Sequence, residues 1–442
     1  MSQETPDPAT GLDPYVPERG ELGYDVLHYD LELKYVVNSN RLDGRARITV
    51  RPTEDLRRIS FDLAGLRVAK ATVGGRAARW QQRPGKVRVE PAMSLPAGRP
   101  IDVELRYQGT PGPTSSVWGP IGWEELTDGV LVASQPSGAS TWFPCNDLAR
   151  QKSSYRVVVT ASSAYRVVVS GSLRSRRSSG STTTWEYEQP EPTSPYLMAV
   201  NIGRYGEFEF DFEGAVHAID GVFAPENQNA FDVAFARLPE MMSLFEDRFG
   251  PYPFEAPFTV VLCSEPLEIP IEAQGQATFG TNHLAPRSHR LIPHELAHQW
   301  FGNSVTAANW RDVWLHEGFA CYAEWIWSEA SGGPSAHELA VTHHQRLRSL
   351  PEDIVVGNPG AADMFDDRVY KRGALAVHAV RGVVGDDAFF DLLRRWTSTN
   401  RHGVVTSRDF EDLAADTAGR SLDRLFDSWL RQTALPGLPD GF

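Results

Sequence analysis

One change in hydrophobic period limits what this chain can fold into more than any other feature. From Tyr24 to about Val222 apolar and polar residues alternate in short runs, the two-residue period of half-buried strands. Val26 to Tyr35 and Arg45 to Val50 flank Asn38, Ser39 and Asn40 and predict a hairpin, and Tyr155 to Val159 and Tyr165 to Val169 flank the small polar linker Thr160 to Ala164. The Ser, Arg and Thr cluster from Ser172 to Thr184 reads as an exposed, solvated loop and the strand after it. From Asn227 the spacing lengthens to three and four. Phe231, Phe235, Leu238, Met241, Met242 and Phe245 predict one amphipathic helix ending before Gly250 and Pro251. After a strand at Pro257 to Leu262, helices follow over 291–301, 312–330, 336–350, 368–384, 386–397, 407–418 and 422–432. The chain therefore reads as α+β: a polar tail over 1–20, a β domain over 21–207 and a mainly helical domain over 208–442, with the changeover at 205–225.

Composition removes several function classes. A chain of 442 residues suits two or three domains with sizeable cores, and its formal charge of −14 argues against a nucleic-acid partner. Cys145, Cys263 and Cys321 are too few and too scattered for a disulfide framework or a CxxC clasp. The acidic, Pro-rich start MSQETPDPATGLDPY lacks the basic and apolar regions of a secretory signal, and no apolar run is long enough to span a bilayer. A soluble cytoplasmic protein with no membrane partner is expected.

The chemistry is concentrated in HELAHQW, His294 to Trp300. A chance HExxH at this composition is expected only about 0.02 times. On a helix, residues four apart share a face, so His294 and His298 can aim two imidazoles at one point while Glu295 reaches a metal-bound water. Two imidazoles and a carboxylate suit one Zn²⁺ per chain with a coordination position left open. The carboxylate is expected from Glu317 in WLHEGFACYAEW, where an unpaired charge among Trp314, Leu315, Phe319 and Ala320 would be costly. Pro293 fits only the first turn of this helix, and Gly302 is the expected residue after its end. Asp312 and Glu324 are candidates to orient the ligand imidazoles, with helix capping or surface pairing as the alternative. His283, His289, His343 and His344 form no second complete set.

These residues resemble the aminopeptidase N family of zinc metallopeptidases, the gluzincin aminopeptidases. HELAHQWFGNSVT followed by WLHEGFACYAEW matches the family's zinc signature, with His316 where an Asn is common. LGYDVLHYDLELKYV resembles the first strands of its N-terminal domain, TWFPCNDLARQKSSY a central segment, and VYKRGALAVHAV the helix bearing a catalytic tyrosine. The resemblance implies a saddle-like β domain followed by a thermolysin-like catalytic domain. It implies Glu295 as general base and proton shuttle and Tyr370 as the hydroxyl that stabilises the oxyanion. It also implies Glu272, in PIEAQGQATFG where the family has GAMEN, and Gln135 as the groups that take the free α-ammonium of a peptide substrate.

The second amine-binding position of the family falls on Ser137, which carries no charge; Glu268 is a candidate to compensate. Three functional readings follow: an aminopeptidase, a zinc hydrolase without a strict free-amine requirement, and a zinc-containing binding scaffold of weak activity. The chain runs on from Tyr370 only to Phe442, room for about four short helices, so a short two-domain form with an open site is expected.

Overall fold

The structure is a computed structural model that describes residues 11–206, 208–210 and 219–438. The first ten residues of the polar tail and much of the changeover segment therefore lie outside the described residues. The described chain divides into two compact units, one built from 11–206, 208–210, 219–228 and 254–281, the other from 229–253 and 282–438.

In the first unit the alternating pattern becomes sheet. Tyr24–Val36 and Arg41–Pro52 pair antiparallel across a turn in which Asn40 adopts φ +44°, a conformation that Asn tolerates. They lie within an eight-stranded sheet whose buried face carries Tyr29, Leu31, Leu33, Ala46 and Ile48, with Tyr29 stacked on Tyr155 at 4.9 Å. Ser153–Ser162 and Arg166–Val169 join different sheets, so the short linker between them is a crossing rather than a hairpin.

Ser172–Ser179, expected as a loop, is instead the edge strand of the large sheet, paired with Thr182–Thr193. Its apolar alternation is missing because it is solvated, and cross-strand charge holds it: Arg174 Nε lies 2.9 Å from Glu188 Oε2. A further five-stranded sheet pairs 219–222, 258–262 and 276–279 in parallel and adds Ile271–Ala273 antiparallel at its edge. That edge strand carries Glu272.

In the helical segment the expected single helix after Asn227 is two, α1 (Gln228–Phe235) and α2 (Leu238–Phe249). Pro239 is the reason: it has no N–H to give the Phe235 carbonyl and its ring crowds that carbonyl, so the first helix stops at Phe235 and the chain restarts at Leu238 with the proline in its first turn. Then come α3 (Leu291–Ala297), α4 (Trp314–Ala330), α5 (Ala336–Leu347), α6 (Asp367–Val384), α7 (Asp386–Thr399), α8 (Ser407–Ala418) and α9 (Asp423–Phe426), which runs into a π-helical turn over Asp427–Arg431.

The capping box at Ser335 and Glu338 starts α5, and Thr406 with Asp409 starts α8. The core of this unit is aromatic. Phe301 stacks on Phe319 at 4.6 Å, Phe319 meets Phe410 edge-on at 5.1 Å, and Trp300 donates its indole N–H to Gly250 O at 2.9 Å. These contacts fasten the end of α3 to α2 and α4. Among the described residues no helix is long and apolar enough to cross a membrane.

Candidate metal centre

α3 is short because its hydrogen bonds tighten. Gln299 and Trp300 bond back three residues to Leu296 and Ala297, and the chain reverses at Gly302, whose φ of +111° suits glycine. The expected helix to Phe301 thus stops at Ala297, and the turn that replaces it has a use. His298 Nδ1 donates to the Phe301 carbonyl at 3.0 Å, which leaves Nε2 as the lone-pair nitrogen. Pro293 sits in the first turn of α3, where its missing N–H costs nothing.

His294 and His298 are both buried, their ring centroids 4.9 Å apart. Glu317, in the first turn of α4, places Oε2 at 3.4 Å from His294 Nε2 and at 3.4 Å from His298 Nε2. Two donors each about 2.0–2.1 Å from a tetrahedral Zn²⁺ stand about 3.3 Å apart, so this spacing fits one ion held by all three. Ligand atoms of the three residues all lie within 4.8 Å of one another. The donor set, two neutral imidazoles and one carboxylate, is chemically suited to zinc.

Behind the ligands stands a supporting layer. His294 Nδ1 donates to Glu324 Oε1 at 2.9 Å, and Arg290 reaches both Glu324 oxygens at 3.3 and 3.1 Å. This orients the ring and leaves His294 Nε2 to face Glu317. Burial opposes the Glu324 carboxylate, but Lys371, the His294 hydrogen bond and Arg290 outweigh it and bring its pKa down to about 2. Burial likewise opposes charge on Glu317, and protons on the Nε2 atoms of His298 and His294, in the place a metal ion takes when bound, hold it well below the carboxylate range. Both acids are thus anionic at neutral pH.

Asp312 does not share this work. It accepts the Ser407 hydroxyl at 2.5 Å, while Trp314 Nε1 donates to the same hydroxyl at 2.8 Å, so Asp312 ties α4 to the start of α8. His316 Nε2 accepts the Ala307 N–H at 2.8 Å, which pins the segment following the turn.

Glu295, between the two histidines in sequence, is 4% exposed. Tyr370 is half-buried in the first turn of α6, its ring stacked 6.2 Å from that of His294 at an interplanar angle of 12°. α4 and α6 approach so closely that a Cβ on Gly318 would lie 2.9 Å from the Gly373 carbonyl carbon. Two glycines therefore allow the helix carrying Glu317 to lie against the helix carrying Tyr370. In the first unit Gln135 Nε2 donates to Glu272 Oε1 at 2.5 Å, Ser137 is buried, and Glu268 is exposed.

Sequence reasoning did not find Arg290, Gly318, Gly373 or Lys371. Arg290 precedes α3 and had no visible partner until Glu324 folded beside it. The glycine pair sits inside two helical patterns, where glycine lowers helix propensity by about 1 kcal/mol relative to alanine and so signals a packing reason.

Comparison with known proteins gives a consistent result. The model of the peptidase family M1 domain matches residues 233–429, and that of the peptidase M1 N-terminal domain matches 26–197. The crystal structure of an M1 zinc metallopeptidase from Deinococcus radiodurans is 30% identical with a TM-score of 0.89, over 97% of this chain and 99% of that one. A mutant of the Deinococcus enzyme bound to a Tyr-Ser-Ala substrate is similar at a TM-score of 0.87 and 30% identity, covering 97% of this chain and 99% of that one. A leucyl aminopeptidase from Saccharolobus solfataricus is 21% identical, over 94% of this chain and 54% of its own length. The chain spans about half the length of the curated relatives it matches.

Proposed function

This chain belongs to peptidase family M1, and from that premise we propose that it is a zinc-dependent aminopeptidase that hydrolyses N-terminal peptide bonds. The observation that carries the reading is the meeting of His294 Nε2, His298 Nε2 and Glu317 Oε2 at spacings one zinc ion would span. A bound Zn²⁺ would supply a Lewis acid for the scissile carbonyl and a water acidic enough to act near neutral pH. Glu295 takes the proton from the attacking water and hands it to the leaving amine, a role supported by its position between the two ligand histidines on a buried turn. The Tyr370 hydroxyl donates to the carbonyl oxygen as charge gathers there, supported by its stacking on His294.

Glu272 takes the α-ammonium of a peptide with a free N-terminus, and Gln135 steadies it. The support is their mutual hydrogen bond, which uses one carboxylate oxygen and fixes the direction of the other. In the same reading 21–207 is the N-terminal β domain and 208–442 the catalytic domain, a division supported by family models that match 26–197 and 233–429. A cytoplasmic setting is supported by three buried thiols, Cys145, Cys263 and Cys321, which suit a reducing compartment.

The buried, uncharged Ser137 favours a second reading, a hydrolase that recognises the ammonium weakly. One assay separates the two. Aminoacyl anilides are offered with a free amine and with an acetylated amine to protein of measured zinc content. Cleavage of the free form alone is the expected result. Cleavage of both moves the assignment to the second reading, and cleavage of neither by zinc-loaded protein leaves a binding scaffold.

A further inference from the structure

Lys371 follows Tyr370 on α6 and is 5% exposed. Lysine is rarely buried to this degree without a partner. The partner is unusual: Nζ lies 3.0 Å from Sγ of Cys321, a fully buried thiol one turn beyond Glu317 on α4. The Asp367 carboxylate, 4.0 Å from Nζ and about half exposed, stands where the pair meets solvent. Cys321 has no cysteine within its unit to pair with, since Cys145 and Cys263 belong to the other one. An amine, not a thiol, is the group within bonding reach of its sulfur.

We propose that Cys321 and Lys371 form an oxidative modification site, in which dioxygen or peroxide joins the two side chains through one oxygen atom as a Lys–NH–O–S–Cys bridge between α4 and α6. The ammonium first gives a proton to solvent. One N–H bond and the S–H bond then break, N–O and O–S bonds form, and the second oxygen atom of dioxygen leaves with both hydrogens as water. Nitrogen and sulfur each lose two electrons, and dioxygen takes four. Two molecules of hydrogen peroxide accomplish the same oxidation and release three of water.

The oxygen-bridged product fits the geometry better than a direct S–N bond. From the present 3.0 Å, admitting one bridging oxygen needs a smaller contraction than a direct S–N bond, which would draw the helices further together where Gly318 and Gly373 already touch. Burial pushes the Cys321 thiol up to about 12, and against the pull of burial Cys321 and Glu324 hold the Lys371 ammonium above the usual lysine range, so the reaction is slow compared with that of an exposed thiolate and a free amine. Once formed, the bridge removes a cation from beside Glu324 and clamps the helix of Glu317 to the helix of Tyr370.

The test uses the full-length protein with its metal, held in air with dilute hydrogen peroxide, then alkylated, digested and mapped by tandem mass spectrometry. The expected product is a linked pair of peptides containing Cys321 and Lys371, heavier than their sum by one oxygen less two hydrogens. Dithiothreitol should dissolve it, and neither C321S nor K371R should form it. Recovery of Cys321 as alkylated thiol, sulfinic acid or sulfonic acid beside an unmodified Lys371 peptide overturns the proposal. So does a linked pair that lacks the added oxygen. The mapping of unsubstituted protein decides the matter even if a variant folds poorly.

Discussion

At the scale of single residues, the assigned roles separate by what each substitution leaves intact. Glu295→Gln keeps the three ligand atoms, so zinc content should be unchanged while turnover falls by about 10² to 10⁴, the usual worth of a general base. Full turnover in that variant would remove Glu295 from the mechanism. Tyr370→Phe deletes one donor to a developing oxyanion and should lower kcat by about 10² to 10³ with little change in KM; a change confined to KM would make Tyr370 a substrate-binding group only. Glu324→Gln acts through His294. It weakens the hydrogen bond that orients the ring and strips Arg290 of its charged partner, so metal affinity should fall about 10- to 100-fold in competition with a chromophoric chelator. Unaltered affinity would mean that packing alone holds the imidazole.

At the scale of elements, the approach of α4 to α6 brings a metal ligand and a phenol together, and it depends on the absence of two side chains. Gly373→Ala would set a Cβ 3.0 Å from the Gly318 Cα, in backbone that cannot step aside. The expected cost is about 1–3 kcal/mol of stability, with kcat falling further than zinc content, since the displaced helix carries Tyr370. An equally stable, fully active variant would show that the helices have slack. This contact also marks where the sequence stopped being readable. The spacing of His294 and His298 on one helix face, and the demand for a buried acid at Glu317, are local facts, and the hairpin at Asn38 to Asn40 and the α8 boundaries are equally local. Pro239 was a local fact too, but apolar spacing of three and four persists across the break and hides it. Ser172–Ser179 shows no apolar alternation because an edge strand exposed to solvent has no buried face to advertise. Arg290 with Glu324, and Lys371 with Cys321, are separated by tens of residues, and only the folded packing of α3, α4 and α6 makes them partners.

At the scale of the whole molecule, two sources of stability respond to different variables. Metal binding stabilises the unit that contains its ligands by an amount that grows with free zinc, so chelation should raise hydrogen exchange in α3 and at the start of α4. The other unit contains a buried pair of carboxylates. Asp62 pairs with Lys86 at 2.8 Å and accepts the Gly20 and Asp147 N–H groups at 2.8 and 3.1 Å. Asp147 accepts the Ser140 N–H at 3.2 Å, and burial, followed by repulsion from Asp62, raises its pKa from the ordinary 3.8 to about 7. In the unfolded chain Asp147 loses its proton near 3.8; in the folded chain it keeps the proton to about 7. The folded state therefore binds the extra proton between these values, and the stability this confers is fully present below the lower one and lost as pH rises through the upper one. Asp147→Asn has no proton to lose. Denaturant unfolding followed at Trp123 and Trp142, both in this unit, should show wild type losing stability between about pH 4 and about pH 7 and the variant losing less, with the difference level above that range. Parallel curves for the two proteins would mean that Asp147 is ionised in the folded state and that Lys86 and Arg19 neutralise both acids together.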